Sequence, residues 1–256
     1  MSRRGESKWI RWVGVVAGVL VVVLGVFAVV MLPDMQRWSR EGEVIAHFEG
    51  LGVRVAVVDD GPIWYRWLAG KLGLPEARAI SAINSGANNH LADEELADIR
   101  LTSGRLMQLA FFHPEFGDEG MKYVGEVEGL WHLSMMRNRV TGAGLAAIAG
   151  LRELQLLDLW DVRVGDEDMK HLLGMTALNH LELRGTDVTD AGVEVLVGIS
   201  SLRNLSLRET AVTDGAVEWL AELKKLRNLD VVGTGMSEAG VERLKGLLPG
   251  LEVRGP

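Results

Sequence analysis

The chain has no cysteine in its 256 residues. That excludes a disulfide framework, thiolate-ligated zinc, an iron–sulfur cluster, a thiol nucleophile and a lipidated cysteine anchor. Positive charge is in deficit, with 27 Lys+Arg against 35 Asp+Glu and a net of −8. A nucleic-acid partner is therefore not expected, because such sites are built on basic patches. Sequence signatures of hydrolases are missing too: neither G-x-S-x-G nor H-E-x-x-H occurs, and Tyr65 stands where a P-loop ending at Gly70-Lys71 needs glycine. Apolar residues are not scarce. They make up 48% against 24% charged, which excludes disorder throughout the chain. The mean hydropathy of +0.14 is high for a soluble protein and directs attention to one segment.

From Val13 to Leu32 there are 20 residues without a charge, seventeen apolar and three Gly. As a helix the run spans about 30 Å, the thickness of a bilayer core. Trp9, Trp12 and Trp38 flank it, as interfacial aromatics do. It exceeds the ~7–15 residues of a signal-peptide apolar region, and no small-residue cleavage site follows, so it reads as an uncleaved transmembrane helix. Arg3, Arg4, Lys8 and Arg11 precede it, and Arg37 and Arg40 follow. The positive-inside rule then predicts a single-pass membrane protein, with a cytoplasmic basic tail at 1–12 and everything after residue 32 extracytoplasmic. Gly14, Gly18 and Gly25 give the helix a small-residue face on which a homodimer would pack. Removing the four cations and Glu6 from the totals leaves 23 positive and 34 negative side chains after residue 32, a net of −11.

The remainder is organised by self-similarity. Leucine recurs every 24 residues at 106, 130, 154, 178, 202 and 226, and again at 109, 133, 157, 181, 205 and 229. Five more apolar columns keep the same period, beginning at Phe111, Phe116, Met121, Val124 and Val127. Within each unit the L-x-x-L-x-L segment alternates with period two, which predicts a strand; after a turn the apolar residues come three apart, which predicts a helix. Thr189-Asp190, Thr213-Asp214 and Ser237-Glu238 mark the helix starts, where such side chains cap N-termini. Gly120, Gly144, Gly192 and Gly240 follow two residues later and suit close packing. One unit alone has too little core to fold, so the units must stack into a solenoid with one parallel sheet and helices on the other side.

The unit L-x-x-L-x-L-x-x-T-x-V-T-D-x-G, as in Leu178–Gly192, resembles leucine-rich repeat proteins over residues 78–256. It is similar to the repeats of bacterial membrane-anchored members and of F-box proteins. The resemblance implies an α/β leucine-rich-repeat solenoid with a concave sheet. At the position often held by Asn, Cys or Thr, this chain has Pro114, Asn138, Val162, Thr186, Thr210 and Thr234, so the first three units depart from a uniform ladder.

Between the apolar run and the repeats, residues 33–77 read as a juxtamembrane α/β cap: a helix at 34–49, a strand at 52–58 and a helix at 63–72. A second strand follows at 79–83, and Leu91–Leu96 reads as a degenerate first repeat, one residue out of the 24 period. At the far end a last strand ends at Val253, after Pro249 stops the preceding helix.

Three features invite a chemical reading and lose it. Gly142–Ala147 matches G-x-G-x-x-A, but at the capping turn of a repeat and not in a doubly wound unit. Asp166-Glu167-Asp168 includes a residue of the capping column, with Asp118, Asp190 and Asp214. His132 and His180 fall two rungs apart, about 10 Å, too far for one metal ion. No catalytic residue, metal or cofactor is expected.

Strand alternation turns the residues between the leucines outward. Read down the stack, one exposed column is Phe112, Met136, Trp160, Arg184, Arg208, Val232. Adjacent strands lie about 4.8 Å apart, so Phe112, Met136 and Trp160 would form an apolar strip, either open to a partner or covered by the cap. With His132, Asp158, Glu182, Arg184 and Arg208, these are the candidate partner-binding residues. The expected function is a membrane-anchored module that binds a protein or peptide through its concave face. The alternative is a structural or self-associating envelope protein without a separate ligand.

Overall fold

In each L-x-x-L-x-L segment the last two leucines stand two apart, so an extended backbone turns both to one side, while the first leucine packs into the same core from the turn that precedes the strand. The structure, a computed structural model, describes residues 29–256 apart from 75, 86–90, 103, 105, 113 and 114, and of residues 64 and 68 the backbone only. The described chain forms two compact units: residues up to 42 together with 59–78, and residues 43–58 together with 79–256.

The larger unit is built on a sheet whose strands lie in chain order: β1 (Arg54–Asp59), β2 (Arg78–Ser85), β3 (Gln108–Phe112), β4 (His132–Met136), β5 (Leu156–Asp158), β6 (His180–Glu182), β7 (Asn204–Ser206), β8 (Asn228–Asp230) and β9 (Glu252–Arg254). From β2 to β9 every neighbouring pair is parallel. From β3 onward the register places like positions side by side, as in Leu133↔Leu157↔Leu181↔Leu205. The returning segments are short helices. After α1 (residues 29–50) and α2 (Ile63–Leu72) come α3 (Asp93–Leu96), α4 (Asp118–Gly125), α5 (Gly142–Ile148), α6 (Asp190–Leu196), α7 (Val217–Glu222) and α8 (Glu238–Leu247). One rung uses a 3-10 helix instead, over Asp166–Leu172.

The repeated apolar columns line the core, and nearly every member is at most 6% exposed. The exception is Leu247, which is 46% exposed while Leu248 is 7% exposed and takes its place. Helix α8 runs ten residues, longer than the other repeat helices, and that carries the inward position one residue further. Leu91 and Leu96, in the irregular first repeat, are fully buried. Val44, Ile45, Phe48 and Val53 join the same core, so the segment 43–58 contributes apolar cover to the repeats.

The rungs are locked to one another by carboxylates. Asp118 Oδ1 accepts the N–H groups of Thr141 (2.8 Å) and Gly144 (2.9 Å), and its Oδ2 accepts the Thr141 hydroxyl (2.7 Å). Asp166, Asp190 and Asp214 grip Thr189, Thr213 and Ser237 in the same way. Asp93 does so for Gly117 and Gly120. The acids therefore cap the next rung's N-terminus as well as lying at the start of their own. This is why glycine sits two residues into several helices. A Cβ on Gly120 would lie 2.7 Å from Asp93 Oδ1, and one on Gly192 would lie 2.5 Å from Asp166 Oδ1.

The smaller unit has its own core of Met31, Trp38, Tyr65, Ala69 and Ala77. It corrects the expected membrane span. Among the described residues no helix is long and apolar enough to cross a membrane. Of the apolar run only residues 29–32 are described, and there Met31 packs in a protein core at 8% exposure. Trp38, expected at a lipid interface, is 2% exposed. Its ring centroid lies 4.6 Å from that of Tyr65, and its Nε1 donates to Asp60 at 3.2 Å. Further along, α1 carries Asp34, Arg37, Arg40, Glu41 and Glu43, which ends any apolar surface. The single-pass localisation inferred from the run, with its cytoplasmic N-terminus and extracytoplasmic repeats, falls with the span. The tail 1–12, residues 13–28 and the proposed packing glycines Gly14, Gly18 and Gly25 lie outside the described residues.

Candidate partner-binding face

The face of the sheet turned away from the helices carries three columns of side chains. The first holds Gln108, His132, Leu156, His180, Asn204, Asn228 and Glu252. The middle holds Ala110, Ser134, Asp158, Glu182, Ser206, Asp230 and Arg254. The third continues just past the strands with Phe112, Met136, Trp160, Arg184, Arg208 and Val232. The structure brings all eight expected residues, Phe112, His132, Met136, Asp158, Trp160, Glu182, Arg184 and Arg208, onto this one face, each half-buried.

Trp160 is not an open indole. The Arg137 guanidinium lies 5.1 Å from its ring centroid and that of Arg184 lies 4.5 Å away, so both are placed for cation–π attraction. The arginines are themselves fixed. Arg137 Nε donates to Asp161 at 2.9 Å. Arg184 donates to both carboxylate oxygens of Glu209 at 3.1 and 3.0 Å, and Arg208 Nε reaches Glu209 at 3.3 Å. The Arg184 hydrogen bond, with that of Arg208 behind it, holds the Glu209 carboxyl below its ordinary range. The Trp160 end of the strip is thus an aromatic braced by ion pairs.

Arg137, Asp161 and Glu209 escape the alternation pattern because each sits where the chain leaves the strand in a left-handed turn, at φ of 55°, 54° and 56°. Gly185 and Gly233 occupy the same position in other rungs, and those two glycines, 48 residues apart, are the sequence signal for it. Non-glycine residues are uncommon there, and these three carry the ion pairs that hold the rim.

The floor is acidic. Asp158 accepts the Ser134 hydroxyl and the Trp160 N–H, both at 3.1 Å. Glu182 accepts the Arg184 N–H, and Asp230 the Val232 N–H, each at 3.0 Å. Burial pushes the Asp158 and Glu182 carboxyls up from their ordinary range, and the hydrogen bonds offset this only in part. Burial likewise lowers His132 and His180, opposed by the nearby Asp158 carboxylate. Among the described residues no Lys or Arg pairs with Asp158 or Glu182, and Asp230 has only the loosely held Arg254 Nε at 3.8 Å. An open depression of about 440 Å³ lies over the last rungs, lined by Glu182, Ser206, Asn228, Asp230, Glu252 and Arg254 among others.

The two motifs that imitate chemistry have structural roles. Gly142 and Gly144 lie where a Cβ would strike Asp168 and Asp118, so the G-x-G-x-x-A segment is a close rung contact. In the acidic triplet, Asp166 grips Thr189, Asp168 accepts the Gly165 N–H at 2.8 Å, and Glu167 points to solvent. Gly142 stands where other rungs place the bridging Asp, and Asp168 makes good that absence. Among the described residues no group of three or more His, Asp or Glu is placed to hold a metal ion.

Residues 174–197 match the family model described as Leucine Rich repeat. No curated protein matches the chain. Among solved structures it is similar to internalin C2 of Listeria monocytogenes, with a TM-score of 0.54 and 21% identity over 69% of this chain and 81% of that one. It is also similar to a leucine-rich repeat protein of Leptospira interrogans, with a TM-score of 0.50 and 23% identity over 61% of this chain and 38% of that one. These likenesses concern the fold. With the buried leucine columns, the in-register parallel sheet and the matched repeat at 174–197, they establish a leucine-rich-repeat fold.

Proposed function

We propose that this protein is a non-enzymatic scaffold that binds a protein or peptide on the concave face of its sheet. The observation that carries the reading is the face itself. Strands β3–β9 present columns of charged, polar and aromatic side chains that contribute nothing to the leucine core, and three of them are held by residues in left-handed conformation. Fixed aromatic and arginine side chains are what concentrated binding energy requires. Phe112, His132, Met136, Asp158, Trp160, Glu182, Arg184 and Arg208 are the proposed contact residues.

Self-association without a separate ligand is the second reading. Ile63 and Trp67, four residues apart and so on one face of α2, are 78% and 62% exposed. An exposed apolar pair of this kind suits a second copy of the chain. One capture experiment separates the two. The full-length chain is immobilised beside a variant whose sheet face is filled (Ser206→Arg with Asn228→Arg) and a helix-side control (Glu194→Lys). Binding through the face gives species held by the wild type and the control and lost from the filled variant. Equal capture by all three contradicts it, and recovery of this chain alone supports self-association.

A further inference from the structure

We infer that the segment seated on this face is cationic: an extended polypeptide carrying lysine or arginine, with one such side chain lowered onto Ser206 between Glu182 and Asp230. The inference rests on the concave-face reading and adds the chemistry of the partner.

The geometry is that of three neighbouring strands. Glu182 ends β6, Ser206 ends β7 and Asp230 ends β8, in one register. Parallel strands lie about 4.8 Å apart, so the two carboxyls stand on either side of a small serine floor. An ammonium or guanidinium descending there meets a carboxylate on both flanks, with the Ser206 hydroxyl beneath already donating to Glu182 and leaving its oxygen lone pairs to accept. The depression of about 440 Å³ at this point has room for the head of one long side chain. Asn228 Nδ2 donates to Asn204 Oδ1 at 2.7 Å, which fixes the amide wall beside it.

Charge complementarity selects the sign. The arginines of the neighbouring column are committed elsewhere, Arg184 and Arg208 to Glu209 and Arg184 to the Trp160 ring. They do not neutralise the floor, and Arg254, beside Asp230 in its own column, reaches that carboxylate only at 3.8 Å from a largely exposed side chain. A neutral segment covering Glu182 would desolvate a carboxylate without a counter-charge, which is costly. An anionic one would add repulsion to that cost. A cationic one supplies the missing partner and makes charge-assisted hydrogen bonds.

The test measures anisotropy of fluorescein-labelled peptides of alternating Lys and Thr, with matched Gln–Thr and Glu–Thr peptides, on the full-length chain. The Lys peptide is expected to bind, more weakly as salt rises. Replacing Glu182 by Gln or Asp230 by Asn should weaken it by about tenfold each, while Glu194→Gln and Glu242→Gln on the helix side leave it unchanged. Equal weakening by the helix-side pair means only diffuse attraction to an acidic protein and overturns the inference. A Glu peptide that binds more tightly, and is lost on Arg184→Gln or Arg208→Gln, also overturns it but leaves the concave-face reading standing. Failure of every peptide to bind, or binding indifferent to all the sheet-face changes, overturns the inference, while the capture experiment with the filled variant decides the concave-face reading separately.

Discussion

Removing the indole of Trp160 is the sharpest probe of how the rim is built. Two guanidinium groups lie 5.1 and 4.5 Å from its ring centroid, each worth about 0.5–1 kcal/mol at a site of this exposure. The half-buried ring adds roughly 1 kcal/mol of apolar burial. Trp160→Ala should therefore cost about 2–3 kcal/mol, below the roughly 3–5 kcal/mol of removing a large aromatic from a packed core. The decisive quantity is the coupling. In urea unfolding followed by circular dichroism, a double-mutant cycle of Trp160→Ala with Arg184→Gln should return about 0.5–1 kcal/mol of favourable interaction. The cycle with Arg137→Gln should return less, since that contact is longer. Coupling indistinguishable from zero would refute the stacked arrangement. A loss of more than about 4 kcal/mol for the single change would mean that Trp160 is a core residue and not part of a binding rim.

Three further outcomes follow from the packing. Asp118→Ala loses three hydrogen bonds across a rung boundary and should cost about 2–3 kcal/mol, whereas the neighbouring Glu119→Ala should change the urea midpoint little. Gly192→Ala places a methyl group 2.5 Å from Asp166 Oδ1 and should destabilise by about 1–3 kcal/mol. Gly246→Ala, with nothing within 4 Å in the last turn of α8, should stabilise by about 0.5–1 kcal/mol. The imidazoles of His132 and His180 are lowered by burial beside Asp158. Their contribution to stability is present above the ordinary imidazole range near pH 6.5 and lost as pH falls through the lowered folded values. Urea midpoints of the His132→Gln, His180→Gln double variant should therefore fall less than those of the wild type below about pH 6.5.

The repeat was legible because the same burial demand acts on every rung, so one column of leucines predicts the next. Its one misplacement, Leu247 for Leu248, arises where α8 runs to ten residues and moves the inward position. The outward columns were legible for the same reason, since a pleat must alternate. What the pattern hid lies where the pleat ends. Arg137, Asp161 and Glu209 leave the strand with positive φ and swing back over the face. The inter-rung clamps were half visible: capping by Asp118 or Asp190 is a local signal, but their grip on Thr141 and Thr213, 23 residues on, follows only from stacking. Trp38 reads from sequence as an interfacial residue because its neighbourhood resembles a membrane boundary. The partners that bury it, Asp60 and Tyr65, are more than twenty residues away.

The central claim is that the sheet face, and not the helix side, receives an extended cationic segment. Backbone amide chemical-shift mapping of the full-length chain with the alternating Lys–Thr peptide tests it directly. The largest shifts are expected at His180, Glu182, Asn204, Ser206, Asn228 and Asp230, around the acidic floor. Shifts concentrated on α4 to α8, with those six amides unmoved, would contradict it.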